Sequence, residues 1–353
     1  MLSNLVFSTT YQCPISCRYC GAECGPRETA RLSLQDMITI VDHVFSYGKL
    51  ELVVFTGGEP FLLGEDLRRC VEYCAKKELL TRIVTNGFWA KNPQTAREIM
   101  KIYKDAGLTE INFSCDDYHQ EFIPLERIKY ANDACLELGF PALIGHKTMK
   151  GCTLSIDYLE QFLEVKLARF DPREKNPDNN VVSTGYTVPV AKDMHLIPDD
   201  EILYPPSDYH WKAPCSSILQ RVIITPRKEL SICCGMIPRG VKEIVFGTLD
   251  DYTLEELITM AHNDLIVNWL ALEGPYGLMK FILQKDPNIP FRKQYVNICH
   301  LCSEIFTRKD CRKILSKYAH EKALEISLER CLYDYIRTKE FKEGTVLTES
   351  TPL

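Results

Sequence analysis

Three cysteines lie close together near the start of the chain, in the segment YQCPISCRYC of residues 11–20. Three residues separate Cys13 from Cys17, and two separate Cys17 from Cys20. Three thiolates can bind three irons of a [4Fe–4S] cube and leave the fourth iron open to another ligand. We favour this interpretation of the segment. The alternatives are a three-thiol zinc site completed by Cys24, or accidental clustering.

A second group of cysteines lies in the last 140 or so residues of the chain. Cys215 precedes a predicted hairpin, the adjacent Cys233 and Cys234 end it, and Cys299 and Cys302 have the spacing C-x-x-C. Four thiolates can close either a [4Fe–4S] cluster or a structural zinc site. Because neighbouring strand residues face opposite sides, we expect only one cysteine of the adjacent pair to bind.

The remaining polar motifs each follow a predicted strand. They are TGGEP at 56–60, TNGFWA at 85–90 and SCDDYHQEF at 114–122. In a parallel α/β sheet, functional groups come from the loops at the carboxyl ends of the strands. We therefore expect these motifs and the first cysteine loop to lie on one side of the sheet.

The elements that must position these motifs alternate between strand and helix. Strand patterns over 4–10, 50–58, 80–87, 109–117 and 141–149 alternate with amphipathic helix patterns over 34–48, 64–78, 92–107 and 126–139. Repeated βα units predict a parallel sheet with right-handed crossovers. About six units fit before residue 190, too few for a full eight-unit barrel. We predict an α/β fold with a partial (β/α)6 barrel.

The pattern changes in the second half of the chain. A polar segment over 170–180 is typical of a loop, and 216–235 has the pattern of a hairpin. We predict a barrel domain over 1–190, a small cysteine-bearing domain over 191–310 and a helical C-terminal tail over 311–353.

Composition limits the classes of protein to consider. The chain has 353 residues, 45% of them hydrophobic, and a formal net charge of −6, which gives no reason to expect a nucleic-acid or anionic-membrane partner. No apolar run approaches the ~20 residues that span a bilayer, and signal-peptide features are missing, so we expect a cytoplasmic location. Sixteen cysteines then favour metal or redox chemistry over a disulfide framework.

The first cysteine loop and TGGEP together closely resemble the radical S-adenosylmethionine (radical SAM) superfamily, over residues 5 to about 190. The resemblance implies a [4Fe–4S] cluster whose open iron is chelated by the amino and carboxylate groups of S-adenosylmethionine. It implies reductive cleavage of that cofactor to a 5′-deoxyadenosyl radical, which takes a hydrogen atom from substrate. It also implies an electron donor such as flavodoxin or ferredoxin.

The resemblance assigns roles to TGGEP. Gly57 and Gly58 lack side chains, so the backbone can approach the cofactor closely. Glu59 would accept hydrogen bonds from the methionine ammonium group. Pro60 would fix the turn.

Other residues acquire roles by the same resemblance. Tyr19 would pack beside the cluster and adenine. Asn86 would line the pocket or, alternatively, cap a turn. Ser114 and Asp116, two residues apart on a predicted strand, would face the same side and contact S-adenosylmethionine.

Candidate catalytic groups follow in the same loop. Asp117, Tyr118, His119 and Glu121 would act as substrate ligands or acid–base groups. A thiol can quench a substrate radical by giving up a hydrogen atom, and the candidates are Cys115, Cys152 and Cys234.

The second cysteine group resembles the twitch domain, a shortened form of the SPASM extension of some radical SAM enzymes. The resemblance implies one auxiliary [4Fe–4S] cluster bound by Cys215, Cys233, Cys299 and Cys302, with zinc as the alternative. By the twitch spacing, Cys233 would bind the auxiliary cluster and Cys234 would remain a free thiol.

Three functions remain open. The first is a maturase that oxidises, crosslinks or epimerises a ribosomally made peptide. The second is a dehydrogenase of a carbohydrate-like small molecule, and the third is a non-catalytic iron–sulfur or zinc redox protein or scaffold. TGGEP argues against the third, because a redox carrier needs no methionine pocket. The first predicted strand starts at residue 4, so we expect no leader-binding domain fused ahead of it.

Overall fold

The computed structural model describes residues 2–18, 20–146, 150–167, 185–186, 202, 209–233 and 241–343. Tyr19 and Cys234 lie outside these residues, so the roles predicted for them stay predictions.

The described strands form one sheet. In chain order they are β1 (Asn4–Ser8), β2 (Leu52–Thr56), β3 (Leu80–Thr85), β4 (Glu110–Ser114), β5 (Ala142–Gly145), β6 (Gly185–Tyr186), β7 (Arg221–Ile224), β8 (Glu229–Ser231) and β9 (Val245–Thr248). Their spatial order is β6-β5-β4-β3-β2-β1-β7-β8-β9. Strands β1 to β6 are parallel and follow chain order, as expected of a barrel wall built from βα units.

Helices separate the first strands and continue after the sheet. They are α1 (Leu34–Ser46), α2 (Glu65–Lys76), α3 (Pro93–Asp105), α4 (Asp117–Gln120), α5 (Leu125–Glu137), α6 (Ile156–Leu163), α7 (Tyr209–Lys212), α8 (Leu254–Asn263), α9 (Leu265–Leu272), α10 (Gly274–Lys285), α11 (Ile298–Thr307), α12 (Lys309–Tyr318) and α13 (Ala323–Glu343).

The sequence explains why these helices start where they do. Ser33 caps α1 in a reciprocal capping box with Asp36, and Asn92 caps α3 immediately before Pro93. Helices α1, α2, α3 and α5 each bury apolar side chains in the core that also contains the fully buried Phe7, Phe55 and Phe113 of the sheet. The predicted α/β fold with a parallel sheet is confirmed.

The hairpin predicted after Cys215 is present as β7 and β8. Strand β7 pairs in parallel with β1, in the register Asn4 with Arg221, and β8 returns antiparallel to it. The hairpin therefore extends the barrel sheet at its β1 edge, a pairing that the sequence did not predict.

Helices α8 to α13 pack beside this extension. Ile326 on α13 is buried, while Leu324, Leu328 and Leu332 on another face are exposed. Among the described helices, none combines the length and the apolar composition needed to cross a membrane.

Candidate functional site

The first cysteine loop leaves the carboxyl end of β1 and is closed by its own backbone. Tyr11 donates its N–H to Ala30 at 3.0 Å, and Cys13 donates its N–H to Gly25 at 3.2 Å. Gly25 returns an N–H to Tyr11 at 3.1 Å. These bonds hold both ends of the loop together, so the sulfurs of the three cysteines are presented from one compact segment.

The TGGEP turn at the end of β2 is bonded directly to this loop. Gly58 donates its N–H to Thr10 at 2.6 Å, and Glu59 donates its N–H to Gln12 at 2.9 Å. A Cβ on Gly57, whose φ is +125°, would lie 2.6 Å from the Thr10 carbonyl oxygen, and one on Gly58 would lie 2.1 Å from that of Gln12. Both glycines are therefore required for contact with the cysteine loop, a role that the sequence did not predict.

The Glu59 side chain lies beneath the site and is fully buried. Its carboxylate accepts hydrogen bonds from the Thr85 hydroxyl at 2.8 Å, the Asn86 N–H at 2.9 Å and the Phe61 N–H at 3.2 Å. Burial raises the pKa of Glu59 to about 7, against the lowering effect of these donors. The structure thus gives Glu59 partners within the chain, and its predicted contact with the methionine ammonium stays a prediction.

Asn86, at the end of β3, is oriented toward a cysteine sulfur. Its Oδ1 accepts the Phe88 N–H at 3.0 Å, which leaves Nδ2 to donate to the sulfur of Cys13 at 3.5 Å. Burial raises the pKa of the Cys13 thiol to about 12, so a metal would have to displace its proton on binding.

The loop after β4 differs from the sequence prediction. Strand β4 ends at Ser114, so Asp116 is not on a strand with it; Asp116 instead caps α4. Asp116 accepts N–H bonds from Tyr118 and His119, each at 3.1 Å, and its Oδ1 lies 2.7 Å from Nδ1 of His119. The Asp116 carboxylate is therefore engaged within its own loop.

His119 lines the same pocket as Cys17 of the first cysteine loop. Its Nδ1 lies 2.7 Å from Oδ1 of Asp116. Burial lowers the pKa of His119, but the interactions with Asp116 and the nearby Cys17 outweigh burial and raise the pKa to about 10.

Two residues predicted as catalytic point elsewhere. Cys115 is fully buried in the hydrophobic core, and burial raises the pKa of its thiol. Asp117 accepts the N–H and the hydroxyl of Thr153, each at 2.7 Å, and Thr153 and Leu154 hold the pKa of this carboxyl below its usual value despite partial burial. Asp117 therefore tethers the segment before α6.

A single pocket at the carboxyl ends of β1 to β4 brings most of the predicted residues together. Its lining includes Cys13, Cys17, Cys20, Gly57, Gly58, Asn86, Ser114 and His119. Cys24 and Thr85 also line it, although the sequence suggested Cys24 only as a zinc ligand and Thr85 not at all. Three thiols beside a partly open pocket suit a cluster with one open iron.

The second cysteine group also converges on one cavity. Cys215, Cys233, Cys299 and Cys302 line it together with apolar side chains of Ile218, Ile244, Leu270, Pro275 and Ile298. Burial raises the pKa of the Cys302 thiol, and the other three thiols raise it further because they lie close by. No disulfide joins any of the cysteines that the structure describes.

The two cysteine groups lie at opposite ends of β1. Cys13 follows the carboxyl end of that strand, whereas Cys233, two residues beyond Ser231 on the antiparallel β8, returns toward its amino end. The strand rise of about 3.3 Å per residue puts roughly 13 Å between the levels of Asn4 and Ser8. The second group thus lies at the opposite end of the strands from the pocket.

Comparison with known proteins agrees with this geometry. Residues 7–165 match the family described as the Radical SAM superfamily. The chain is 25% identical over 118 residues to YydG of Bacillus subtilis (strain 168), named for peptide biosynthesis, covering 33% of this chain and 37% of YydG. It is 28% identical over 115 residues to the PqqA peptide cyclase of Gluconobacter oxydans (strain 621H), covering 32% and 30% of the two chains.

A longer match joins the chain to a GTP 3′,8-cyclase of Campylobacter curvus (strain 525.92). The two are 28% identical over 216 residues, or 58% of this chain and 62% of the cyclase. The chain thus spans less than two thirds of each of these relatives.

The fold is that of a solved structure as well. The crystal structure of native anSMEcpe with bound AdoMet superposes with a TM-score of 0.51 at 14% identity, covering 92% of this chain and 100% of that one. This likeness concerns the fold alone. The family predicted from the two sequence motifs is confirmed for residues 7–165, the segment that matches the Radical SAM superfamily.

Proposed function

We propose that the pocket beside Cys13, Cys17 and Cys20 binds a [4Fe–4S] cluster and S-adenosylmethionine. The observation that carries the proposal is the convergence of these three cysteines with Gly57 and Gly58 in one pocket. When bound, the cluster supplies the electron that cleaves S-adenosylmethionine, and the resulting 5′-deoxyadenosyl radical takes a hydrogen atom from substrate.

The chain's own residues hold this site together. The three thiolates bind three irons, and Gly57 and Gly58 allow TGGEP to lie against the cysteine loop. Glu59 ties the end of β2 to that of β3 from below, through Thr85 and the backbone of Asn86. Ser114 lines the open part of the pocket, where it is available to the cofactor.

The second cysteine group binds an auxiliary [4Fe–4S] cluster in this proposal. Four thiols that line one cavity together with apolar side chains support it. An auxiliary cluster so placed can take an electron from the substrate radical, as a net oxidation requires. This interpretation corresponds to the predicted twitch-like extension.

The substrate is proposed to be a ribosomally made peptide. Two relatives of the radical SAM domain carry peptide names, YydG and the PqqA peptide cyclase. The alternative substrate is a small molecule, for which the match to a GTP cyclase provides the support. An external donor such as flavodoxin or ferredoxin would deliver the electron.

The experiment that tests the proposal uses anaerobically loaded protein and a strong reductant. We expect S-adenosylmethionine to be converted to 5′-deoxyadenosine and methionine, slowly even without substrate. Formation of S-adenosylhomocysteine without any 5′-deoxyadenosine would show methyl transfer instead. Loaded, reduced protein that forms neither product would contradict radical chemistry.

Product formed in deuterated water distinguishes oxidation from epimerisation. A product lighter by two hydrogens, with no deuterium at carbon, indicates oxidation or crosslinking, the outcome we expect. Deuterium at a former C–H carbon indicates quenching by a thiol. Cys115 is buried away from the pocket, so Cys234 is the variant to compare in that case.

A further inference from the structure

The last helix, α13 (Ala323–Glu343), carries a row of apolar side chains on the side that faces solvent. Leu324 is 72% exposed, Leu328 60%, Leu332 59% and Tyr335 65%, and Cys331 among them is exposed as well. At about 100° of rotation per residue, these five side chains fall within an arc of about 100°, the width that a helix usually turns toward a core. We call these five residues the apolar stripe.

The opposite side of α13 already packs on the protein. Ile326, nearly half a turn around the helix from Leu328, is 1% exposed and belongs to the hydrophobic core. On the same side, Nζ of Lys322 lies 5.9 Å from the ring centroid of Trp269 on α9. The helix is therefore held by one side, and the apolar stripe is a second apolar side that the described part of the chain leaves open to solvent.

The apolar stripe differs from the exposed apolar residues elsewhere in the molecule. Each of the other described helices has at most one large exposed hydrophobic side chain, such as Ile102 on α3 or Leu136 on α5. Single exposed residues of this kind are normal, whereas a contiguous exposed patch marks a surface that another molecule covers.

The spacing within the stripe favours another helix as the molecule that covers it. Leu324, Leu328, Cys331 and Tyr335 are separated by four, three and four residues, the alternation of a coiled-coil seam. This spacing is the same when it is read in either direction. A second copy of α13 that runs antiparallel therefore presents a matching seam, with Leu324 opposite Tyr335 and Leu328 opposite Cys331, as a two-fold axis requires.

The polar residues beside the seam tolerate this antiparallel register. Glu325 would face Leu332 of the second copy, and Ser327 would face Asp334. Both acids are paired within their own chain, Glu325 with Lys322 and Asp334 with Arg330 at 2.8 Å. Antiparallel packing also sets the opposite ends of the two helix dipoles side by side, which a parallel pair does not.

We propose that α13 is a dimerisation surface, on which the apolar stripe packs antiparallel against the same stripe of a second copy of this chain. The eight large side chains of the two stripes would remove on the order of 1,000 Å² from water, which is near the lower limit for a specific interface. We therefore expect a dissociation constant in the micromolar range. The proposal does not depend on the function proposed above.

The first test is the mass of the full chain in solution, measured by sedimentation equilibrium under reducing conditions from about 1 to about 100 µM. The wild type should rise from the monomer mass of 40.5 kDa toward twice that value. Leu328→Glu, in the middle of the stripe, should raise the dissociation constant at least tenfold. Leu136→Glu, the same change at a half-exposed leucine on α5, is the matched control and should dimerise like the wild type.

Three results would overturn the proposal. They are a wild type that stays monomeric at about 100 µM, which would leave the stripe to a different protein, a Leu328→Glu variant that dimerises normally, and an equal loss of dimer in Leu136→Glu. If Leu328→Glu does not fold, as judged by circular dichroism, Tyr335→Glu decides by the same criterion.

The second test is the orientation of the two helices, read from disulfide crosslinking with copper phenanthroline as the oxidant. In Leu328→Cys, the new thiol should lie opposite Cys331 of the second copy and form a covalent dimer on a non-reducing gel. The double variant Leu328→Cys/Cys331→Ala is the control and should not crosslink through α13. In the wild type the two Cys331 residues are offset by about 4.5 Å along axes about 8 to 10 Å apart, too far for a disulfide. A wild-type crosslink through Cys331 would show parallel helices and overturn the antiparallel arrangement.

Discussion

The Glu59 carboxylate accepts the backbone N–H of Asn86 at 2.9 Å, and this bond joins the ends of β2 and β3 beneath the proposed cofactor site. The same carboxylate binds the hydroxyl of Thr85. A fully buried acid in this position links the two loops that face the first cysteine group.

Burial raises the pKa of Glu59 from 4.5 to about 7, and stability should depend on pH accordingly. Between pH 4.5 and 7 the folded chain keeps a proton on Glu59 that the unfolded chain releases. Protonated Glu59 therefore adds about 3 kcal/mol to the free energy of unfolding below pH 4.5, and this stabilisation is lost as pH rises through 7. The side chain of the Glu59→Gln variant cannot ionise. In urea unfolding of the cluster-free protein, the free energy of unfolding should therefore fall less between pH 5 and pH 8 in the variant than in the wild type. Equal losses in both proteins would contradict this assignment.

Gly58→Ala should destabilise the cluster-free protein by about 3 kcal/mol. A Cβ at this position would lie 2.1 Å from the Gln12 carbonyl oxygen, so the backbone of one of the two loops would have to move to relieve the clash. Gly25→Ala in the same loop is the matched control. Its Cβ would meet Ser16 Oγ at 3.5 Å, an ordinary contact, so the change should be under about 1 kcal/mol. Denaturant titration measures the free energy of unfolding of both variants. Similar decreases in the two would show that the close approach of Gly58 to the cysteine loop does not explain the destabilisation.

Replacing Cys13, Cys17 and Cys20 together with alanine should remove about half of the iron. The loaded wild type should hold roughly eight irons, four for each [4Fe–4S] cluster. Cys135→Ala, which removes a buried thiol on α5 outside both cysteine groups, should retain all of them. Iron and sulfide analysis after anaerobic reconstitution measures this, and full iron in the triple variant would exclude these three ligands.

The auxiliary site is tested in the same way by Cys299→Ala combined with Cys302→Ala. We expect this variant to lose the other half of the iron and to keep conversion of S-adenosylmethionine to 5′-deoxyadenosine. Cys311→Ala, a buried thiol that does not line the second cavity, is the control and should keep both clusters. Stoichiometric zinc with only four irons in the wild type would show that the second site holds zinc.

The sequence alone was sufficient for the family and for most of the pocket. Short, unbroken segments such as YQCPISCRYC and TGGEP carry their chemistry in local spacing, and parallel βα order sends their ends to one edge of the sheet. Cys13, Gly57, Asn86 and Ser114 could therefore be placed in one pocket before their distances were known.

Only the tertiary structure decided what the acidic side chains do. Glu59 belongs to TGGEP, whereas Asp116 and Asp117 are adjacent in SCDDYHQEF. Each of the three carboxylates accepts hydrogen bonds from groups of the chain itself. Sequence spacing shows which residues share a loop but not which way a loop turns, because the turn after β4 depends on capping contacts made once α4 forms.

The position of the second cysteine group could not be predicted from the sequence either. The hairpin over β7 and β8 was predictable from its turn, but its partner was not. Any exposed strand edge offers unpaired N–H and C=O groups, and the choice of β1 is made by long-range packing. Because β7 pairs with β1, Cys233 lies near the amino end of β1 and Cys13 lies beyond its carboxyl end. This pairing sets the distance over which the two proposed clusters would exchange electrons.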